Sequence, residues 1–238
     1  MKIAILSDIH GNLPALEAVL DDIRKRKVDK LICLGDMIGK GPSSKEVIDL
    51  CKAECDITVR GNWEGALSLS EWPLHLQWCI NDMNQHHIDF ITSLPHSTEF
   101  YLGDMLVRLF HAHPKNFNRY FQDSPIEQRR ELFDFNDLSE IKQLANVTIY
   151  GDIHTTYLQM IDGRYLINTG SVGCPYDVTQ ASYLIIESGN TGKSFNTQFI
   201  RVAYDIEKAV TTAKEANIPY LEGYISELRT AKYFAGRS

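Results

Sequence analysis

The sequence predicts an α/β fold in which two mixed β-sheets face each other and helices cover their outer sides. Strands and helices alternate over the first 62 residues, whereas short strands joined by tight turns follow after residue 96. The 238 residues are 44% hydrophobic and 23% charged, a composition typical of a globular protein with a sizeable core. Because no linker, repeat or low-complexity segment interrupts the chain, we expect residues 1–238 to form one domain.

The first part of the chain reads as a β-α-β-α-β unit. Short apolar runs predict its three strands, which are "KIAIL", "KLICLGD" and "DITVRGN". Asn12 can cap a first helix, and Ser43 with Glu46 can form a capping box at the start of a second one over 43–55. This alternation predicts parallel strands joined by right-handed crossovers.

The remaining elements are mostly strands. Residues 64–94 have a helical period and are expected to pack beside the main fold as a mainly helical segment. Gly103 and Asp104 predict the tight turn of a β-hairpin within 96–114. Further strands are predicted over 146–154, 156–161, 164–171, 181–187 and 193–202, and two closing helices near 204–216 and 219–230.

Charge and cysteine usage narrow the function classes. A net charge of −7 argues against generic nucleic-acid binding, although bound metal ions would still allow a phosphorylated substrate. The opening "MKIAILSD" is too short for a signal-peptide core, and no apolar run approaches the roughly 18 residues of a membrane span. The five scattered cysteines indicate reduced thiols, so we expect a cytoplasmic protein without membrane partners; nothing indicates an oligomeric state.

Polar side chains follow five of the apolar runs. They are Asp8, His10, Asp36, Asn62, His111, His113, Asp152 and His154, and "DIH" occurs twice. The carboxyl ends of neighbouring strands meet at one edge of an α/β sheet, so we expect these side chains to converge there. Carboxylates packed so closely would repel one another unless cations neutralised them. Mixed oxygen and nitrogen donors in this number suit two transition-metal ions with a bridging carboxylate better than calcium.

These motifs resemble those of the calcineurin-like metallophosphoesterases. The resemblance covers about residues 3–178 and rests on "SDIHGN", "LGDMIGKGP", "RGNWE", "FHAHP", "YGDIH" and "INTGSVGCP". It is strongest to small bacterial phosphodiesterases, including asymmetric dinucleoside-polyphosphate hydrolases with Trp after Gly-Asn. It implies a four-layer α/β/β/α sandwich of two mixed sheets. It also implies a first metal held by Asp8, His10, Asp36 and His154, and a second held by Asp36, Asn62, His111 and Asp152, with Asp36 bridging.

Two residues depart from the family pattern. Asp152 stands where family members usually have His, so the second site gains a harder, negative donor; alternatively, Asp152 disables that site. Trp63 replaces a His thought to assist the leaving group, so that role is vacant or falls to His113.

The resemblance implies metal-assisted hydrolysis of a phosphodiester or phosphoanhydride, with a nucleotide such as a dinucleoside polyphosphate as the expected substrate. Two ions would lower the pKa of a bridging water. Manganese is expected, with iron, magnesium or zinc as alternatives. Asp36 and His113 are the candidate catalytic residues, and the substrate is expected to contact Asn12, Arg60, Trp63 and His113, although Arg60 is equally a candidate ion-pair partner. The alternative function is a non-catalytic scaffold or binding module with a degraded second metal site.

Overall fold

Two five-stranded mixed sheets lie face to face in the computed structural model, which describes residues 1–68, 72–113, 121–137, 139–188, 192 and 194–234. The strands are β1 Lys2–Leu6, β2 Lys30–Cys33, β3 Ile57–Thr58, β4 Ser97–Leu102, β5 Met105–Phe110, β6 Val147–Tyr150, β7 Thr156–Ile161, β8 Arg164–Thr169, β9 Ala181–Ser188 and β10 Phe195–Val202. The helices are α1 Leu13–Arg26, α2 Ser44–Glu54, α3 Asn62–Gly65, α4 Leu74–Asp82, α5 Gln85–Ser93, α6 Ile126–Glu131, α7 Ile206–Ala216 and α8 Leu221–Thr230.

The strand order confirms the predicted parallel start. The first sheet runs β10-β9-β1-β2-β3, with β1 parallel to β2 and β2 parallel to β3. The second runs β4-β5-β6-β8-β7, with antiparallel pairs at both edges and parallel pairs in the centre. The predicted hairpin is also confirmed, since Leu102 pairs with Met105 across Gly103, whose φ is +60°.

Alternating side chains separate the cores and produce four layers. In β1, Ile3 and Ile5 belong to the core between the sheets, whereas Ala4 and Leu6 pack under α1 and α2. The outer face of the second sheet carries a third core that includes residues of the segment after α6, such as Phe133. The predicted α/β/β/α arrangement is therefore confirmed, with α6 and irregular backbone in its last layer.

The strands that lead to the predicted metal donors end earlier than expected. The sequence predicts strands to Asp36 and Asn62, but β2 ends at Cys33 and β3 at Thr58. Beyond β2 the backbone curls: the N–H groups of Ile9 and His10 both donate to the Asp36 carbonyl, at 2.8 and 2.9 Å. The donor residues therefore lie in loops that follow the strands.

The prediction of a capping box at the start of α2 was wrong. Ser43 occupies the N-cap position, but its side chain makes no capping hydrogen bond. The segment is instead fixed by tertiary contacts. The Ser43 N–H donates to the Gly11 carbonyl at 3.0 Å, and the Ser44 hydroxyl accepts from the Gly39 N–H at 3.1 Å.

The remaining helical predictions hold, with one omission. The segment 64–94 contains α4, α5, the second half of α3 and a short 3₁₀ turn at Ala66–Ser68, while residues 69–71 lie outside the described part. Helix α6 was not predicted. Within the residues described, no helix has the length and apolar character needed to cross a membrane. The cytoplasmic location stays a prediction.

Candidate metal centre

Most of the predicted metal donors lie in left-handed backbone. Positive φ angles occur at Asp8 (57°), His10 (49°), Asp36 (52°), Asp152 (70°) and His154 (60°). Non-glycine residues seldom adopt this conformation, and each instance costs on the order of 1–3 kcal/mol. Glycine would relieve the strain but could not supply a carboxylate or imidazole. The strand-end loops therefore keep a carboxylate or imidazole side chain at these positions despite the conformational free energy that this backbone costs.

Glycine at position 35 lets two of these loops touch. Its φ is +96°, and a Cβ there would lie 2.3 Å from the Gly61 backbone nitrogen. The close approach brings Asp36, after β2, against the loop after β3, where the Trp63 N–H donates to Asp36 Oδ1 at 2.9 Å. Any side chain at Gly35 would separate Asp36 from Asn62.

Five donors form a buried cluster. His154 Nε2 lies 3.2 Å from Asp8 Oδ1, and His111 Nε2 lies 3.3 Å from Asp36 Oδ2. His10 Nε2 is 3.7 Å from Asp36 Oδ2 and 3.9 Å from Asp8 Oδ1. Within the described part of the chain, two groups are compact enough to hold an ion: Asp8, His10 and His154, and Asp8, Asp36 and His111. Asp8 belongs to both groups; the bridging role of Asp36 stays a prediction.

The three imidazoles are oriented from behind by backbone carbonyls. The Nδ1 atoms of His10, His111 and His154 lie 3.1, 3.0 and 2.5 Å from the carbonyl oxygens of Ile38, Leu34 and Cys174. A carbonyl only accepts, so each Nδ1 carries a hydrogen, and each Nε2 faces the cluster, where it offers a lone pair once it is deprotonated. Hydrogen bonds of this kind are the usual support of metal-binding histidines.

The donor set fits metal ions. His10 Nε2 and His154 Nε2 approach to 3.1 Å, and two lone pairs at that distance repel unless a cation lies between them. The buried atoms Asn62 Oδ1 and His111 Nε2 have no hydrogen-bond partner among the described residues. Asp8, His10 and Asp36 are at most 2% exposed. Polar atoms without a partner in a buried, acidic cluster are what bound cations would satisfy.

The close packing of these side chains also shifts the pKa values of several of them. Burial would raise the pKa of Asp8, but the neighbouring imidazoles of His154 and His111 hold that pKa well below its usual range. Burial opposes protonation of His111 too, yet the Asp36 and Asp8 carboxylates raise its pKa well above normal, so a metal ion would have to displace the proton from Nε2. Burial, together with Lys40 and His154, lowers the pKa of His10. The Asp8 carboxylate is thus held in the ionised form that binds metal.

Glu64 holds the loop that contains Asp36 in place through hydrogen bonds to its backbone. Its carboxylate accepts the backbone N–H groups of Asp36, Met37 and Gly61 at 2.8–2.9 Å and that of Ile38 at 3.3 Å. Burial and then the nearby Asp36 charge raise the pKa of Glu64 to about 7, against the lowering effect of these N–H donors. This role was not predicted, although Glu64 closes the motif "RGNWE".

The cluster opens into a cleft of about 250 Å³. Its lining combines four predicted ligands, Asp36, Asn62, Asp152 and His154, with Lys40, Trp63, His75, Tyr176 and Tyr233. All seven predicted ligands therefore lie in one region of the fold. Apart from Trp63, the second set was not predicted. Lys40 lies within the motif "LGDMIGKGP" and Tyr176 directly follows "INTGSVGCP", whereas nothing pointed to His75 or Tyr233.

Trp63 forms one wall of this cleft. Its ring lies edge-on to His10, with centroids 5.1 Å apart, and contacts His75 at 4.8 Å. A Cβ at Gly39 would lie 2.0 Å from the Trp63 ring, so that glycine makes room for it. Trp63 thus packs against the core while it lines the cleft.

The other predicted substrate contacts lie away from the cleft lining. Asn12 caps α1, and its amide donates to the Gly173 carbonyl at 2.8 Å and the Tyr204 hydroxyl at 3.2 Å. Arg60 contacts His96. His113 lines a separate cavity with Glu131, Asp134 and Asn136. The geometry does not favour substrate contacts for these three residues, whose roles stay predictions.

Replacing Asp152 with alanine should weaken one metal site selectively. Asp152 lines the cleft beside His154, and its N–H donates to the Asp8 carboxylate at 3.1 Å. Since loss of a residue that merely supports a ligand costs about 10- to 100-fold in metal affinity, we expect at least about tenfold weaker binding of one ion. Asp152→His should instead retain activity and accept softer ions. Calorimetric titration with manganese and zinc measures both effects. The exposed Asp162→Ala is the control, and two unchanged sites in Asp152→Ala would show that Asp152 is not a ligand.

Comparison with known proteins supports the motif-based resemblance. The model of the calcineurin-like phosphoesterase superfamily domain matches residues 1–191. An uncharacterised protein of Methanocaldococcus jannaschii is 32% identical over 236 residues, covering 91% of this chain and 93% of that protein. The phosphodiesterase YfcE of Escherichia coli K12 is 25% identical over 198 residues, covering 79% and 88% of the two chains.

A solved structure agrees over the whole fold. The crystal structure of a metallophosphoesterase from Sphaerobacter thermophilus superposes with a TM-score of 0.76 at 27% identity, covering 97% of this chain and all of that one. The family model spans most of the chain and includes all the strand-end donors. The chain therefore belongs to the calcineurin-like phosphoesterase superfamily, and the membership assigns it a phosphoesterase function.

Proposed function

We propose that the protein is a dinuclear-metal hydrolase that cleaves a phosphodiester or phosphoanhydride bond in a nucleotide such as a dinucleoside polyphosphate. The observation that carries the proposal is the buried cluster of carboxylates and inward-facing Nε2 atoms at the floor of a cleft with aromatic walls. The ions that fit this cluster would bind the phosphoryl oxygens and activate water. Manganese is the expected metal.

The side chains at the cleft floor would orient the reacting groups. Asp36, Asn62, Asp152 and His154 line the cleft where the phosphoryl group would lie. Water attacks phosphorus as the bond between phosphorus and the leaving oxygen breaks. One product takes the water oxygen as a hydroxyl group, and the released proton goes to the leaving oxygen or to solvent, so the leaving group departs neutral or as an anion. A leaving group that is stable as an anion needs little help from a protein acid.

The walls support a substrate with a stable leaving group and a planar part. Trp63 offers an indole face on which a base can stack, worth about 1–3 kcal/mol by analogy with single-strand binders. The indole cannot protonate a leaving oxygen. His113 lines another cavity, and His75 packs within the Trp63 wall. Nucleoside polyphosphates and aryl phosphodiesters meet both conditions, whereas simple alkyl phosphates meet neither.

Substrate preference tests this assignment. With manganese, we expect kcat/KM for diadenosine tetraphosphate and for an aryl phosphodiester to exceed that for an alkyl phosphomonoester by at least about 100-fold, the lower end of what general acid assistance contributes. Trp63→His should reduce this ratio of kcat/KM values, because an added histidine acid would assist the poor alkoxide leaving group most.

Two outcomes would contradict the proposal in different ways. A wild-type preference for the alkyl monoester would show that Trp63 is only a packing residue. Absence of turnover of all three substrates with manganese, iron and zinc would favour the non-catalytic scaffold.

A further inference from the structure

A buried lysine lies beside the donor cluster. Lys40 follows Asp36 in the loop after β2, and its side chain is 6% exposed. It lines the same cleft as Asp36 and Asp152. Its Nζ lies 2.5 Å from the hydroxyl oxygen of Tyr176, whose ring stacks on the imidazole of His154 with centroids 4.6 Å apart. An ammonium group therefore lies one side chain away from a predicted metal ligand.

Among the described residues, the carboxylate that pairs with this lysine does so only at long range. Glu227 of α8 places Oε2 at 3.5 Å from Lys40 Nζ, longer than the 2.7–2.9 Å of a charge-assisted hydrogen bond. Glu227 has other donors, because Oε2 accepts from the Cys174 thiol at 3.0 Å and Oε1 from the Phe234 N–H at 3.1 Å. An ammonium group has three hydrogens; among the described residues Tyr176 accepts one at 2.5 Å, whereas the Cys174 Sγ at 3.6 Å and Glu227 Oε2 at 3.5 Å are long, weak acceptors that a phosphate oxygen could replace.

The position of Lys40 suits a phosphate that is bonded to the reacting one. The phosphate under attack would lie against the metal donors, and adjacent phosphates of an anhydride have one oxygen in common. The neighbouring phosphate would then lie within reach of the Lys40 ammonium and the Tyr176 hydroxyl. Beyond it, Tyr233 extends the wall, with its ring 5.6 Å from that of Tyr176.

We infer that Lys40 and Tyr176 form a second phosphate subsite, so that the preferred substrate is a phosphoanhydride rather than a phosphodiester. The inference rests on the proposed hydrolase function, which includes both bond types. A diester has no second phosphate for Lys40, whereas a nucleoside di- or polyphosphate does. Tyr176 and Tyr233 would then flank the group carried by that phosphate.

Binding of two phosphonates tests the subsite without turnover. Calorimetry of the manganese-loaded protein should give tighter binding of methylenediphosphonate than of methylphosphonate. Lys40→Met should reduce that preference by about 10- to 100-fold, the range for a hydrogen bond to a charged group. Lys208→Met, at an exposed site, is the matched control and should leave it unchanged. An undiminished preference in Lys40→Met would overturn the inference.

The double variant Lys40→Met/Glu227→Gln covers the case in which the single change leaves Glu227 as an unpaired buried charge and impairs folding. The same loss of preference is expected there, and a retained preference would again contradict the subsite.

Kinetics separate this inference from the proposed function. In Lys40→Met, kcat/KM for diadenosine tetraphosphate should fall at least tenfold more than that for bis(p-nitrophenyl) phosphate, within the same range for a charged hydrogen bond, roughly 10- to 100-fold. Equal losses on both substrates would overturn the second subsite and leave the hydrolase proposal intact. If the wild type hydrolyses neither substrate, the hydrolase proposal fails, while the phosphonate titration still decides whether the subsite exists.

Discussion

Replacing Asp8 with asparagine is expected to lower kcat/KM by roughly 10³-fold and to release metal from both sites. Asp8 Oδ1 lies within 3.9 Å of the Nε2 atoms of His10, His111 and His154, and Asp8 is the only residue in both donor groups found among the described residues. Metal ions stabilise transition-state charge by several kcal/mol, and each 1.36 kcal/mol is a factor of ten in rate. Metal content per chain and kcat/KM with added manganese measure both losses.

A matched surface variant guards against a general effect of removing one negative charge. Asp21 is exposed on α1 and pairs with Arg24, so Asp21→Asn should keep full metal content and activity. If Asp8→Asn keeps two bound ions and wild-type turnover, Asp8 does not hold the metals and the cluster has another purpose.

Replacing Glu64 with alanine should lower the free energy of unfolding by about 3 kcal/mol or more. The change strands the buried N–H groups of four residues, Asp36, Met37, Ile38 and Gly61, and each unsatisfied buried donor costs on the order of 1–3 kcal/mol before water or relaxation compensates. For a chain of this size the melting temperature should fall by roughly 6–12 °C. Thermal and urea unfolding of the metal-free protein measure the loss independently of catalysis.

Comparison with other changes shows whether the Glu64 effect is specific. Glu64→Gln retains one acceptor oxygen and should lose less stability than Glu64→Ala. Glu215 is exposed on α7, so Glu215→Ala should change the free energy of unfolding by no more than about 0.5 kcal/mol. A Glu64→Ala protein as stable as the Glu215→Ala control would show that the Asp36 loop holds its own shape.

The donor cluster was predictable because sheet topology brings distant strand ends together. Asp8 follows β1 and Asp152 follows β6 in the other sheet, yet the Asp152 N–H donates to the Asp8 carboxylate at 3.1 Å. A repeated "DIH" after two apolar runs was enough to suggest that these two strand ends lie close together. Parallel β1 and β2 likewise place Asp36 beside Asp8.

The loops that shape the cleft were less predictable, because tertiary packing sets their course. Tyr233 reaches the cleft from beyond α8, where the Phe234 N–H donates to Glu227. His75 belongs to α4, and its place depends on how that helix packs against Trp63. Neither contact has a local sequence signature.

His111 and His113 lie in different surroundings although both follow the same strand. Residues 111 and 113 would lie on one face of a strand only if the strand continued. Strand β5 ends at Phe110, and the chain bends at the next residues. His111 therefore lies in the donor cluster, whereas His113 lines a separate cavity.

Titration of metal-free protein with manganese tests the dinuclear centre most directly. The account predicts two ions per chain in the wild type, one weakened site in Asp152→Ala, and the loss of both in Asp8→Asn. Turnover of diadenosine tetraphosphate should rise as the second ion binds. A wild-type protein that binds no ion, or that turns over the substrate equally well in the presence of a strong chelator, would contradict the account.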